Sequence, residues 1–224
     1  YMKQYQSILK LFQADEVFQR IEHSENHGDD HFAENFVKKL LGQIVFIYFL
    51  QKKGWMWVWE SQKWWYGSQT YLRDLYTECT TWKWWNKENW GTNYFNDYLE
   101  HLFYATLNEP RDNHWSTYFN TRIPYLNGGL FEPLNGYNRR WPENIIFKGN
   151  EENANKAFGK LLDLFDLFNF TVYENDPLEQ DVAVDPEMLG KIFENLLPEN
   201  ERKGKGSFYT PRPIVHYMCK ESLK

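Results

Sequence analysis

Phe32-Ala33-Glu34-Asn35-Phe36-Val37-Lys38-Lys39-Leu40-Leu41-Gly42-Gln43-Ile44-Val45-Phe46-Ile47-Tyr48-Phe49-Leu50 is the stretch that decides the fold. Phe32, Phe36, Leu40, Leu41, Ile44, Val45 and Tyr48 trace one broad apolar face at helical spacing. Asp30 is placed to cap the start, and Gln51-Lys52-Lys53-Gly54 supplies the basic residues and glycine that end a helix. The density of apolar positions towards the end implies burial on several sides. The most apolar run, Ile44 to Leu50, is far too short to cross a bilayer.

Helical spacing recurs on both sides of this segment. Ile8, Leu9, Leu11 and Phe12 predict a short first helix, continued or restarted around Val17, Phe18 and Ile21. Tyr71, Leu72, Leu75 and Tyr76 mark another. Phe95, Tyr98, Leu99, Leu102, Phe103 and Leu107 mark a longer one, closed by Asn108-Glu109-Pro110. Ala154 to Phe168 reads as a helix with Phe158, Leu161, Leu162, Phe165 and Phe168 inward. Asp185-Pro186 opens a further helix whose Leu189, Ile192, Phe193 and Leu196 pack inward and which Pro198 stops. Gly128-Gly129 breaks the chain, and Phe170, Val172 and Tyr173 favour a strand. The expected fold is therefore mainly α, an irregular helical domain with a small β ribbon near residues 128–132 and 169–173.

Composition excludes several classes. At 224 residues with 19% aromatic and 25% charged residues, this is a globular chain, not a disordered one. Two cysteines, Cys79 and Cys219, are too few for a disulfide framework or a four-thiolate zinc site. Both read as packing residues in a reducing cytoplasm, and nothing at the start resembles a signal peptide. The net charge of −6 is uneven: residues 150–200 hold twelve acidic residues against three basic, whereas residues 201–224 hold six basic against two acidic. An acidic chain is poorly suited to wrapping DNA unaided, and the basic tail reads first as a solvated loop.

Candidate chemistry is sparse. His23, His27, Asp29, Asp30 and His31 carry metal-ligating atoms, but His27 and His31 are spaced across Gly28 in a polar loop, so no metal is assigned. Glu60 and Lys63 are three apart with no accompanying upstream aspartate on a strand. No nucleophile elbow, P-loop or dinucleotide fingerprint occurs, and no residue is assigned to catalysis. The segment Trp55 to Trp90 holds nine of the eleven tryptophans, including Trp64-Trp65 and Trp84-Trp85. Adjacent tryptophans cannot both face one core, so several should be exposed. Stacking on nucleic-acid bases beside lysine is one reading, and filling an irregular core or a subunit contact is the other. Near the end, Gly204-Lys205-Gly206-Ser207-Phe208-Tyr209-Thr210-Pro211 leads into a helix. Thr210 suits its N-cap and Pro211 its first position, with Ile214, Tyr217 and Met218 forming an inner face. Such a helix start can accept an anionic group. The chain stops about one helix later, so the site served by this loop is expected to be incomplete.

Four strings in order carry a family resemblance: Leu41 to Trp55, Pro124-Tyr125-Leu126-Asn127-Gly128-Gly129-Leu130-Phe131-Glu132, Val184 to Leu197, and Gly206 to Pro211. Together they resemble the large bacterial adenine-specific DNA methyltransferases of fused type IIG restriction–modification enzymes and related phage-defence methylases. The expected organisation is a helical region over residues 1–110 with a Trp-rich insertion that departs from the family; the resemblance implies a helical connector over 111–198 and the start of a methyltransferase core over 199–224. It implies S-adenosylmethionine as cofactor, with Thr210 bonding the methionine carboxylate. Phe208 and Tyr209 would line the pocket, and Pro211 with Pro213 would set the entry angle. The partners implied are double-stranded DNA, the remaining methyltransferase core and an optional nuclease domain. A membrane is not implied. The glycine-rich cofactor loop and Asn-Pro-Pro-Tyr motif of that family do not occur here. The expectation is thus a fragment of a cytoplasmic enzyme, inactive alone. The alternative is a stand-alone helical protein-interaction or single-strand nucleic-acid-binding module.

Overall fold

The computed structural model describes residues 1–25, 31–81, 93–126, 129–134, 145–170, 183–184 and 212–222. The fold is mainly α, as the periodicity predicts. Helices α1 (Met2–Ala14) and α2 (Glu16–Glu25) are separate because Asp15 lies between them in an extended conformation. The Asp15 carboxylate accepts the Phe18 N–H at 2.9 Å, capping α2, and its second oxygen accepts Phe147 N–H at 2.7 Å. One aspartate therefore restarts the helix and pins a segment 132 residues away.

Helix α3 (Phe32–Lys52) is the central element, and its buried residues cover more than half of its circumference, leaving Asn35, Lys39 and Phe46 on the outer face. Its N-cap is His31, with Asp30 outside the described residues. Gly54, at φ +68°, ends it in a Schellman motif: Gly54 N–H donates to Gln51 O at 2.8 Å and Trp55 N–H to Leu50 O at 3.1 Å. Helix α1 packs on α3 and on α5 (Glu151–Asp166), and α4 (Tyr71–Thr81) packs on α5. Buried Gln51 accepts the Leu72 N–H at 3.1 Å, satisfying one of the orphan donors at the start of α4. Tyr48 donates to the Asp166 carboxylate at 2.8 Å, and Arg73 pairs with Asp163 and Asp166. A single apolar cluster runs from Tyr5 to Phe165. Phe12 is its hub, with Phe18, Phe36, Phe95 and Phe147 edge-on around it at ring separations of 4.8–5.2 Å.

Four expectations need correction. The helix predicted around Phe95 forms, but as two successive π-helical stretches, Tyr94–Leu99 and His101–Leu107. Its partly exposed positions, Asp97, His101 and Ala105, recur every fourth residue. That step is longer than the 3.6 of an α-helix, and the wider turn keeps three residues in four buried. Residues 129–132 are turns instead of one arm of a ribbon. Strand β3 (Asn169–Phe170) does form, but it pairs in parallel with β4 (Ala183–Val184), while the antiparallel ribbon is β1 (Trp115–Ser116) with β2 (Thr121–Arg122). Phe168 falls beyond the last turn of α5 and is exposed. The helix predicted over 186–197 lies outside the described residues. Among the described residues no helix is long and apolar enough to cross a membrane.

Candidate functional site

The structure brings together two of the four family-like strings. On α3, the Lys39 ammonium donates to Gly129 O at 2.9 Å, and buried Gln43 donates through Nε2 to Leu130 O at 2.8 Å. Phe131 then inserts between Phe46 and Phe103, at 6.1 and 5.6 Å. The Gln43 amide also bonds the Tyr104 hydroxyl. Burial pushes the Tyr104 phenol up and lowers the Lys39 ammonium, which Glu132 partly restores. These strings form a structural clamp.

The expected cofactor wall, Phe208, Tyr209, Thr210 and Pro211, lies outside the described residues, as do Val184's continuation through Leu197 and the Gly204–Ser207 loop. Immediately after Pro211 comes α6 (Arg212–Ser222), so a helix starts where the Thr-Pro pair predicts. Its first turn carries no acidic residue, which suits a helix start that meets a carboxylate. Its expected inner face is not turned inward: Ile214, Tyr217 and Met218 are all exposed. Cys219 is exposed too, against the expectation of a packing thiol, whereas Cys79 is buried as expected.

The chain is 30% identical over 198 residues to a putative type II restriction enzyme and methyltransferase of Methanocaldococcus jannaschii. It is a distant homologue of one segment of that restriction–modification protein. The match takes in 85% of this chain but spans only 15% of the relative's length. No protein-family model matches the chain, and no solved structure matches it.

A second site was only partly legible. Residues 55–59 alternate strictly, with Trp55, Trp57 and Trp59 exposed and Met56 and Val58 fully buried. Val58 exchanges both backbone hydrogen bonds with Arg122, and Met56 pairs with Ser68. This two-residue period is a strand signal that Trp-Met-Trp-Val-Trp carried in plain view. The helical context hid it. Trp65 and Tyr66 are exposed beside the three. The Arg122 guanidinium lies 4.5 Å from the Trp64 ring while donating to Glu60 O and Gln62 O, and the Lys63 ammonium lies 5.7 Å from Trp65. Glu60 and Lys63 thus belong to a turn that Arg122 holds.

Glycines allow this ledge to form. A methyl group on Gly67 would collide with the carbonyl oxygens of both Met56 and Gly54. Gly67→Ala is therefore expected to destabilise the chain by about 1–3 kcal/mol, the usual range for overpacking against an unyielding neighbour. Urea unfolding followed by tryptophan emission would show it. An unshifted midpoint would mean that the two arms are not this close.

Proposed function

We propose that this chain is the helical connector and first cofactor motif of a restriction–modification methyltransferase, which transfers a methyl group from S-adenosylmethionine to adenine in double-stranded DNA. The observation that carries the reading is the match to a putative restriction enzyme and methyltransferase along 85% of the chain. The clamp of Gln43 on Leu130 and the start of α6 directly after Thr210-Pro211 support it. In this reading the connector gives a rigid base, and the 208–211 loop forms one wall of the cofactor pocket. Thr210 and the first amides of α6 hold the methionine carboxylate, because the helix start favours negative charge. Phe208 and Tyr209 exclude water. The cofactor supplies the activated methyl group. The residues that hold and polarise the adenine belong to the rest of the enzyme, which works in the cytoplasm with or without a fused nuclease.

The test is made on the gene and on the full-length protein. An open frame continuing past Lys224 into a glycine-rich loop and Asn-Pro-Pro-Tyr is expected, and a stop codon there would overturn the reading. In the full-length enzyme, Thr210→Ala should weaken S-adenosylmethionine binding about tenfold or more, the loss of one hydrogen bond to a charged group. Calorimetric titration would measure it. Unchanged affinity would remove Thr210 from the pocket.

A further inference from the structure

We propose that the ledge formed by Trp55, Trp57, Trp59, Trp65 and Tyr66 binds single-stranded DNA, stacking unpaired bases on the tryptophan faces beside lysines that meet the phosphates. Three features of the ledge distinguish it from incidental exposure. Its rings are displayed on purpose-built backbone: Met56 and Val58 anchor the inner side, and Gly54 and Gly67 allow the second arm to approach within hydrogen-bonding distance, Gly67 N–H to Gly54 O at 2.9 Å. Within each arm the outward rings lie close together, Trp57 and Trp59 5.9 Å apart and Trp65 and Tyr66 6.5 Å apart.

The ledge also holds a strained residue. Trp57 sits at φ +54° and His114, which packs edge-on against Trp64 at 5.2 Å, at φ +59°. A bulky non-glycine residue rarely adopts this conformation, and such strain persists where the surrounding structure imposes it, often at binding sites. Glycine at position 57 would remove the strain, yet a large ring occupies it.

Charge favours a polyanion over an apolar protein partner. Residues 52–66 carry Lys52, Lys53 and Lys63 against one carboxylate, Glu60, within a chain of net charge −6. Lys63 already lies against a ring face that a base would share. Aromatic faces accept any base, so binding should depend little on sequence and strongly on salt. Duplex DNA, with its bases stacked internally, offers these rings nothing to stack on. The choice of DNA over RNA rests on the proposed methyltransferase role; the stacking itself does not.

The test is fluorescence anisotropy of a labelled twelve-residue oligothymidylate titrated with the 224-residue chain at low salt, without S-adenosylmethionine. Saturable binding that weakens as salt rises, with the matching duplex binding at least tenfold more weakly, is expected. Trp57→Gly and Trp59→Ala should each weaken binding about tenfold, the worth of one lost stacking contact. Thermal melting provides the control: Trp57→Gly should leave the fold intact, since it relieves a left-handed residue. No binding at low salt, binding by both variants as tight as that of the unsubstituted chain, or tight binding of oligouridylate but not oligothymidylate would each overturn the proposal. So would self-association in sedimentation that the two substitutions abolish while oligonucleotide has no effect, which would make the ledge a protein contact. Because no cofactor is present, failure here would leave the Thr210 experiment standing, and failure there would leave this one.

Discussion

Phe12→Ala should lower the unfolding free energy by about 3–5 kcal/mol, the range for truncating a buried phenylalanine. The size follows from position. Phe12 is fully buried and touches rings contributed by α2, α3, the first π-helical stretch and the Phe147 turn. Aromatic pairs contribute roughly 0.5–1.5 kcal/mol beyond area burial, and four of them meet at this one ring. The cavity cannot collapse easily, because its walls belong to separate elements held by their own contacts. Against a typical total of about 5–15 kcal/mol, the loss would leave a marginal fold. Urea unfolding monitored by far-ultraviolet circular dichroism would measure it, with Phe12→Leu as the milder comparison. A shift below about 1 kcal/mol, within the ordinary range of surface substitutions, would mean that the aromatic hub does not organise the core.

Alkaline pH should unfold the chain cooperatively between about pH 10 and 12, given ordinary tyrosine titration near 10. Tyr48, Tyr71, Tyr94 and Tyr104 are buried, and burial raises all four phenols far above their ordinary value. For Tyr48 the hydrogen bond to Asp166 adds to the effect, and Tyr94 donates to Leu72 O at 2.9 Å. A phenol whose folded pKa is raised contributes stability that is fully present below the unfolded pKa. It is lost as pH rises, because the unfolded chain releases its protons first. Each such group costs about 1.4 kcal/mol per pH unit above 10, so four together cost about 5–6 kcal/mol at pH 11. That is comparable to the whole stability of many domains. Phenolate absorbance should rise in one step, coincident with loss of helical ellipticity. Gradual titration with helicity retained would show that these hydroxyls reach water in the folded state.

The helices were legible because their signals are local. Each depends on residues three and four apart and on caps within a turn, as with Asp15 before α2 and Gly54 after α3. The π-helical widening was not legible, since Phe95, Leu99, Phe103 and Leu107 satisfy α spacing almost as well. The candidate ledge had a readable period of two, but its support, Arg122 pairing with Val58, comes from 64 residues away in sequence. Its glycines meet backbone that no local pattern names. Cofactor residues 208–211 were picked out through a resemblance and a helix-start pattern, of which the described structure supplies the helix itself.

The amino-acid sequence alone determined the mainly α class, the central helix and the strings that relate this chain to a restriction–modification protein. Propensity, periodicity and capping act within a few residues of chain. The tertiary structure alone decided that Gln43 clamps Leu130, that β3 pairs with β4, and that Trp55, Trp57 and Trp59 face outward while Met56 and Val58 face in. Each of these is a contact between segments whose approach depends on summed burial against loop-closure entropy, a balance that no single stretch of sequence contains.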